Sequence, residues 1–237
     1  MPLARPKTTR PPTKQAFVYQ TLRDAIMRCE LEPSERLVID DLARQLHVSA
    51  IPVREALQNL QSEGLIVNVP HVGATVAPVT RESILEVFTM LEGLSIVATR
   101  LVAERARRSE LEVLDHHVSE MDAALREGRA EDWASLNTTF HLTIAGLPGL
   151  PLLLEMTERV FDRWHRVRRY YFSGVLIRRM DQAQEEHRAM VAAMRDQDYE
   201  RLLDVVHRHN QGALASYMNY METNGRASGS EAQEPSR

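Results

Sequence analysis

The chain has 237 residues, 43% of them apolar and 26% charged, with a formal net charge of −4. That length holds one large domain or two small ones with a proper core, and the composition is ordinary for a soluble protein. No apolar run approaches the roughly 20 residues a bilayer span needs, which excludes a membrane protein of the helical kind, and aromatic residues at 5% with sparse glycine lean the chain towards helices.

The first stretch, "MPLARPKTTRPPTK", carries Arg5, Lys7, Arg10 and Lys14 and no acidic residue. It lacks the apolar core of a signal peptide, so export is not expected. Its proline-rich, basic composition predicts a disordered arm over 1–14, of the kind that touches phosphates. A helix follows over about 15–29, with Val18, Leu22, Ala25 and Ile26 at helical spacing. Cys29 is the single cysteine; it rules out an internal disulfide and fits a reducing cytoplasm. Pro33 and Ser34 break the helix. "VIDDLARQLHV" then sets Leu42, Ala43 and Leu46 on one face of a short helix. Ser49 begins another, running to about Glu63 with Val53, Ala56, Leu57 and Leu60 inward. Gly64 ends it, because glycine tolerates the left-handed conformation. In "LIVNVPHVGATVAPV", β-branched residues flank "NVPHVG", which predicts a two-stranded hairpin over 65–77.

Three helices and a hairpin in this order predict a winged helix-turn-helix over 15–78, with a tight turn at His47-Val48-Ser49. In that motif the second helix of the pair enters the major groove N-terminus first. From residue 80 no segment reads convincingly as a strand. Helices are expected near 80–107, 110–127, 130–146, 150–172, 175–196 and 198–221, with breaks at "REGRAEDW" and "AGLPGLP". The fold expected is mainly α: the winged unit, then an all-helical antiparallel bundle over 79–222. The small, polar "TNGRASGSEAQEPSR", 223–237, is expected to be a disordered tail.

The run "LEPSERLVIDDLARQLHVSAIPVREALQNLQSEGLIVNVPHVGATV" resembles the DNA-binding domain of GntR-family bacterial repressors, most strongly in "LARQLHVS" and "PVREALQNLQSEGLI". The helical block resembles the FadR-like (FCD) ligand domain, through "LEGLSIVATRLVAERA", "NTTFH", "EEHRAMVAAM" and His209. Together these cover about 15–221. The resemblance implies a homodimeric cytoplasmic regulator that binds a palindromic double-stranded operator, usually as a repressor, and answers to a small molecule.

It implies that Ser49 opens the recognition helix and contacts phosphate, that Arg54 lies near backbone or a base edge, and that His71 and Gly73 form the wing tip. Ser49 is also a good N-cap, and Pro52 falls in the first turn, where its missing N–H costs nothing. Ala50-Ile51 stands where many relatives have Arg-Thr. A bidentate Arg–guanine contact supplies about 1–3 kcal/mol of discrimination; Ala50 cannot make it, and Ile51 offers only apolar contact, for instance to a thymine methyl. Asp40 stands where relatives often place a phosphate-binding arginine. An atypical operator is therefore expected. Residues 1–78 hold nine basic and eight acidic side chains, so affinity must come from local placement and from two copies per site.

Asn137 and His141 are four apart on one helix and share a face; His187 and His209 lie on later helices and can converge with them in a bundle. By itself this spacing is weak. The resemblance assigns His141, His187 and His209 to a divalent metal, with Asn137 in place of the usual aspartate; Zn, Ni and Mn all suit imidazole. His116, His117 and His207 have no counterpart and are taken as surface. Three imidazoles and an amide leave the ion's charge uncompensated, which favours an anionic effector, a small carboxylate. Phe88 stands where relatives often have an effector-binding arginine and suggests an apolar contact instead; Arg163, Arg166, Arg168 and Arg169 crowd one helix and one of them can substitute, although a solvated basic face is the better explanation of the cluster. Two other functions compete. A metal hydrolase lacks any H-E-x-x-H or paired metal-carboxylate motif, and the spacing of Glu185 and Glu186 beside His187 suggests a solvated face. A metal sensor would use the ion itself as the signal.

Overall fold

The computed structural model describes residues 13–171, 175 and 177–230, with side chains to 223. The chain divides into two compact units, Met1–Val79 and Thr80–Arg237. The basic arm expected over 1–14 lies outside the described residues except for its last two: Thr13 caps the first helix, its hydroxyl accepting from the Ala16 N–H at 3.1 Å, and Lys14 already belongs to it.

The first unit consists of α1 (Lys14–Met27), α2 (Ile39–Gln45), α3 (Ala50–Ser62), β1 (Ile66–Val69) and β2 (Gly73–Val76). One apolar cluster joins them: Val18, Leu22 and Ile26 of α1, Leu42 and Ala43 of α2, Val53, Ala56, Leu57 and Leu60 of α3, and Ile66 and Val76 of the strands. Each helix ends in a reversal with the residue after its cap left-handed. The residues concerned are Cys29 (φ 55°), His47 (φ 53°) and Gly64 (φ 74°), and the following N–H reaches back five residues to Ala25, Ala43 and Leu60. Only the last uses glycine, which is why α1 reads two residues too long in the sequence.

β1 and β2 pair antiparallel, Ile66 opposite Val76 and Val69 opposite Gly73. Both His71 (φ 63°) and Gly73 (φ 98°) are left-handed in the turn. Histidine is among the residues that tolerate this conformation. The hairpin has a third partner that was not anticipated. Arg36 bridges Thr75, and the N–H groups of Ser34 and Leu37 bond to the carbonyls of Val76 and Ala74. The segment read only as a helix break thus covers one edge of the wing.

The second unit is helical: α4 (Arg81–Arg105), α5 (Arg108–Arg126), α6 (Ala130–Gly146), α7 (Pro151–Tyr170), α8 (Ile177–Asp196) and α9 (Tyr199–Ser230). Thr80 and Ser83 form a capping box on α4, which fixes where the bundle begins. Helix α4 packs on α7 and α9, α5 on α6 and α8, and α8 on α9. Trp133, Phe140, Met190 and Met194 are fully buried between them. The tail expected over 223–237 is helical as far as Ser230; extending an existing helix adds a hydrogen bond per residue without a new nucleation cost. Residues 231–237 lie outside the described residues. No helix among the described residues is long and apolar enough to cross a membrane.

Candidate functional site

In the first unit, α3 turns Val53, Ala56, Leu57 and Leu60 into the core and leaves Ile51, Arg54, Glu55, Gln58 and Asn59 in solvent. Ile51 is 66% exposed, so it is free to meet a partner surface. Arg54 makes no ion pair with any described residue. Ser49 sits at the N-cap, but its hydroxyl makes no capping hydrogen bond; the capping role read from sequence is not filled, and the exposed hydroxyl is available. Ala50 is half-buried. Pro52 is buried, so its ring packs inward and cannot contact DNA; it is the third helical residue and shares the inward side with Val53. His71 is exposed at the wing tip, beside half-buried Gly73, and Asp40 is exposed in the first turn of α2. Sequence reasoning missed Gln58 and Asn59. Gln58 lies four residues beyond Arg54, one turn along the same face, and carboxamides are the side chains that read adenine.

In the second unit α6 places Asn137 and His141 one turn apart, α8 brings His187, and α9 brings His209. One ligand atom from each of the three histidines lies within 4.8 Å of the others. Ring centroids are 5.2 Å apart for His141–His187, 5.3 Å for His141–His209 and 4.9 Å for His187–His209. Burial holds all three imidazoles below their ordinary range, and for His141 and His187 the nearby His209 adds to it. Neutral imidazole is the form that donates a lone pair.

The tautomers are fixed from outside. His209 Nδ1 donates to Glu186 Oε2 at 2.8 Å, which turns Nε2 towards the cluster. His187 Nδ1 lies 3.4 Å from Gln184 Oε1, and its Nε2 is buried with no hydrogen-bond partner. Gln184 is itself held: Trp133 donates to its Oε1, and its amide donates to the Val118 carbonyl and to Asp122. Such outer contacts orient metal-binding histidines, and an orphaned buried Nε2 is what a removed cation would leave. The donor set fits a divalent ion.

Glu186 overturns an expectation. It does not lie on a solvated face: it is buried, while Glu185 alone is exposed. Burial pushes its carboxyl upward, but the hydrogen bond from His209 and the charge and hydrogen bond of Arg179 outweigh this and hold it low. Arg179 Nη2 donates to Glu186 Oε2 at 2.9 Å and to the His209 carbonyl at 2.9 Å. His117 is corrected too. Its side chain is only 14% exposed and meets the Thr143 hydroxyl at 3.3 Å. His116 and His207 are exposed.

A cavity opens beside the cluster, lined by Asn137, His141, His209 and Arg179 together with Phe88, Phe161, Trp164 and Tyr217. Phe88 is buried against Tyr217. Arg163 and Arg166 do not line it. Phe161 and Trp164 take the inward face of α7, and each arginine lies two residues further on, about 200° round the helix. Arg163 is exposed and reaches Glu86; Arg166 is buried elsewhere. Arg179, which the sequence reading passed over, is the arginine that reaches the cavity.

His165, outside the cluster, gives a pH-dependent expectation. Burial and the neighbouring Arg168 lower its pKa to about 4. The unfolded chain takes up this proton near pH 6.5 and the folded one does not, so stability holds above 6.5 and falls as pH drops towards 4. The loss from this residue is about 2–3 kcal/mol after allowance for solvent screening. His165→Phe cannot titrate; unfolding free energies of the two proteins, measured from pH 7 to 4, should diverge by that amount. Parallel curves would sink the assignment.

Comparison with known proteins places both units. Residues 14–76 match the model of the bacterial regulatory proteins of the gntR family, and 84–212 match the FCD domain. The chain is similar to the HTH-type transcriptional repressor GlaR of Escherichia coli K12, 26% identical over 81% of this chain and 90% of that protein. It is similar to the regulator McbR of the same organism, 28% identical over 72% and 77%. The solved structure of E. coli McbR/YncC superposes with a TM-score of 0.67 at 25% identity, covering 88% of this chain and 99% of that one. That of Lar, described as controlling expression of the Listeria monocytogenes agr system, superposes at 0.62 with 18% identity, covering 89% and 99%. The chain belongs to the gntR family of bacterial regulatory proteins, in the form that carries an FCD effector domain: it is a DNA-binding transcriptional regulator and not an enzyme.

Proposed function

We propose that this regulator acts as a cytoplasmic homodimeric repressor of a palindromic operator and that a small carboxylate effector, bound beside a divalent metal in the helical unit, releases it. The observation that carries the effector side is the convergence of His141, His187 and His209, with two of their rings oriented by Gln184 and Glu186. These three would hold the ion, and Asn137, buried on the same cavity wall, would add a neutral oxygen. When bound, the ion supplies a positive centre with positions open to an anion; Zn, Ni and Mn all suit the donors. Asn137 leaves that charge undiminished where an aspartate would reduce it, so attraction for a carboxylate is greater and retention of the ion weaker. Effector control requires only that the acid bind the operator-bound and free states unequally.

On the DNA side the reading rests on the exposed row Ile51, Arg54 and Gln58, with the Ser49 hydroxyl at the helix start and His71 and Gly73 in the wing. The base pairs read are expected to be atypical of the family, since Ile51 offers a methyl contact where an arginine would seek guanine. Arg54→Ala should weaken operator binding about 5–150-fold, the equivalent of 1–3 kcal/mol. If Arg54 holds phosphate, the salt slope also falls by about one per protomer. Gel retardation on the protein's own upstream region, at several salt concentrations, measures both, and unchanged affinity would remove Arg54 from the interface. The same assay with metal and acids added singly and together separates the effector reading from one in which the ion alone is the signal.

A further inference from the structure

The cavity beside the histidines is built unevenly. Two aromatic pairs line it: Phe88 meets Tyr217 with centroids 5.5 Å apart, and Phe161 meets Trp164 at 5.6 Å. Phe161 also touches His141 at 5.6 Å, so the second pair adjoins the cluster. Leu91, Val175, Ala183 and Ala213 add to the apolar lining, and Ser95 and Asn210 add two polar side chains. The enclosed space is about 60 Å³, which limits the ligand to a small one.

The lining carries one fixed charge. Arg179 is 93% buried by its 7% exposure, and its Nη2 is committed to Glu186 and to the His209 carbonyl. Its Nε is buried with no hydrogen-bond partner. Gly212 lets it lie there: a Cβ at that position would come within 3.2 Å of the guanidinium carbon. A buried donor left unmade costs about 1–3 kcal/mol, and a carboxylate oxygen from a ligand would satisfy it. A ligand rich in hydroxyls would instead strand them against Phe88, Phe161 and Trp164, at a similar cost for each.

Building on the effector reading above, we infer that the ligand is an amphipathic monocarboxylate. Its aryl or alkyl body lies on the Phe88–Tyr217 and Phe161–Trp164 pairs, and its carboxylate lies between Arg179 and the histidines. The largely apolar lining disfavours polyhydroxylated acids and tricarboxylates. Arg179 is the specificity residue for the acid group.

The chain has two tryptophans, Trp133 and Trp164, and both line the cavity, so intrinsic fluorescence reports occupancy. The full-length protein, stripped of metal and separately loaded with zinc, is titrated with benzoate, phenylacetate and hexanoate, with benzamide as the neutral counterpart, and with gluconate and citrate. The apolar acids should bind at least 10-fold more tightly than benzamide, gluconate and citrate, with the preference for an apolar body present in both metal states. Arg179→Gln should abolish the preference of benzoate over benzamide. Arg179→Lys, which keeps the charge, should retain part of it. Tighter binding of gluconate or citrate, or no binding of any apolar acid at millimolar concentration, overturns the inference. The panel on the unaltered protein decides this even if a variant misfolds. Operator retardation run alongside separates the two readings. An apolar acid that binds without releasing DNA defeats the effector function and leaves the ligand class standing. Release by gluconate or citrate does the reverse.

Discussion

Glu186→Ala is expected to destabilise the helical unit by about 3–5 kcal/mol, the cost of removing one partner from a buried ion pair. Both side chains of the Arg179–Glu186 pair are only 8% exposed, at a separation of 2.9 Å. The alanine leaves the guanidinium uncompensated in the core and takes the acceptor from His209 Nδ1 as well. Glu186→Gln keeps an oxygen for one donor and should cost less. The exposed neighbour provides the control: Glu185→Ala should change stability by no more than about 0.5 kcal/mol. Both tryptophans lie on helices of this unit, so urea unfolding followed by their fluorescence reads it directly. A loss below about 1 kcal/mol for Glu186→Ala would mean that the pair is bystander packing.

What the sequence exposes here and what it hides follow from period and partner. Period is a local property. Val53, Ala56, Leu57 and Leu60 repeat at helical spacing, and the structure puts that stripe in the core. Asn137 and His141 share a face for the same arithmetic reason. Partner identity is not local. Glu186 looks like half of a charged dipeptide until His209 and Arg179 are placed against it, and those contacts span 23 and 7 residues. Arg179 was overlooked for the crowded arginines of α7, although helical phase from Phe161 and Trp164 already turns Arg163 and Arg166 away. A signal was present in Gly212: a glycine inside a long helix costs about 1 kcal/mol relative to alanine, and the compensation is room for a guanidinium. Ser49 shows the converse limit. Residue type and position suit an N-cap, yet the hydroxyl makes no such bond, because a cap preference is a frequency and not a contact.

His187→Ala should remove the response of the protein to metal. The ring is fully buried, stacked 5.9 Å from Trp133 and tilted against Phe140 at 4.8 Å, and its Nε2 is buried with no hydrogen-bond partner. Disturbing an outer-contact residue typically weakens metal affinity 10–100-fold, so loss of a ligand itself should cost at least about 100-fold. Linkage turns this into a stability measurement. With free zinc at 100 times the wild-type Kd, folding gains about 2.7 kcal/mol; at the same concentration a variant binding 100-fold more weakly gains about 0.4 kcal/mol. Without metal the balance shifts, because the alanine leaves a cavity that costs about 2–4 kcal/mol but also removes an unsatisfied buried nitrogen worth about 1–3 kcal/mol. The metal-free variant should therefore lie much closer to metal-free wild type than the zinc-loaded pair lie to each other. His207→Ala, an exposed histidine on α9 paired with Glu92, should behave as wild type in both conditions. Unfolding midpoints with and without zinc, together with metal content after gel filtration, test whether the three histidines hold the ion. Stoichiometric zinc retained by His187→Ala would show that the three histidines are packed together for some other reason.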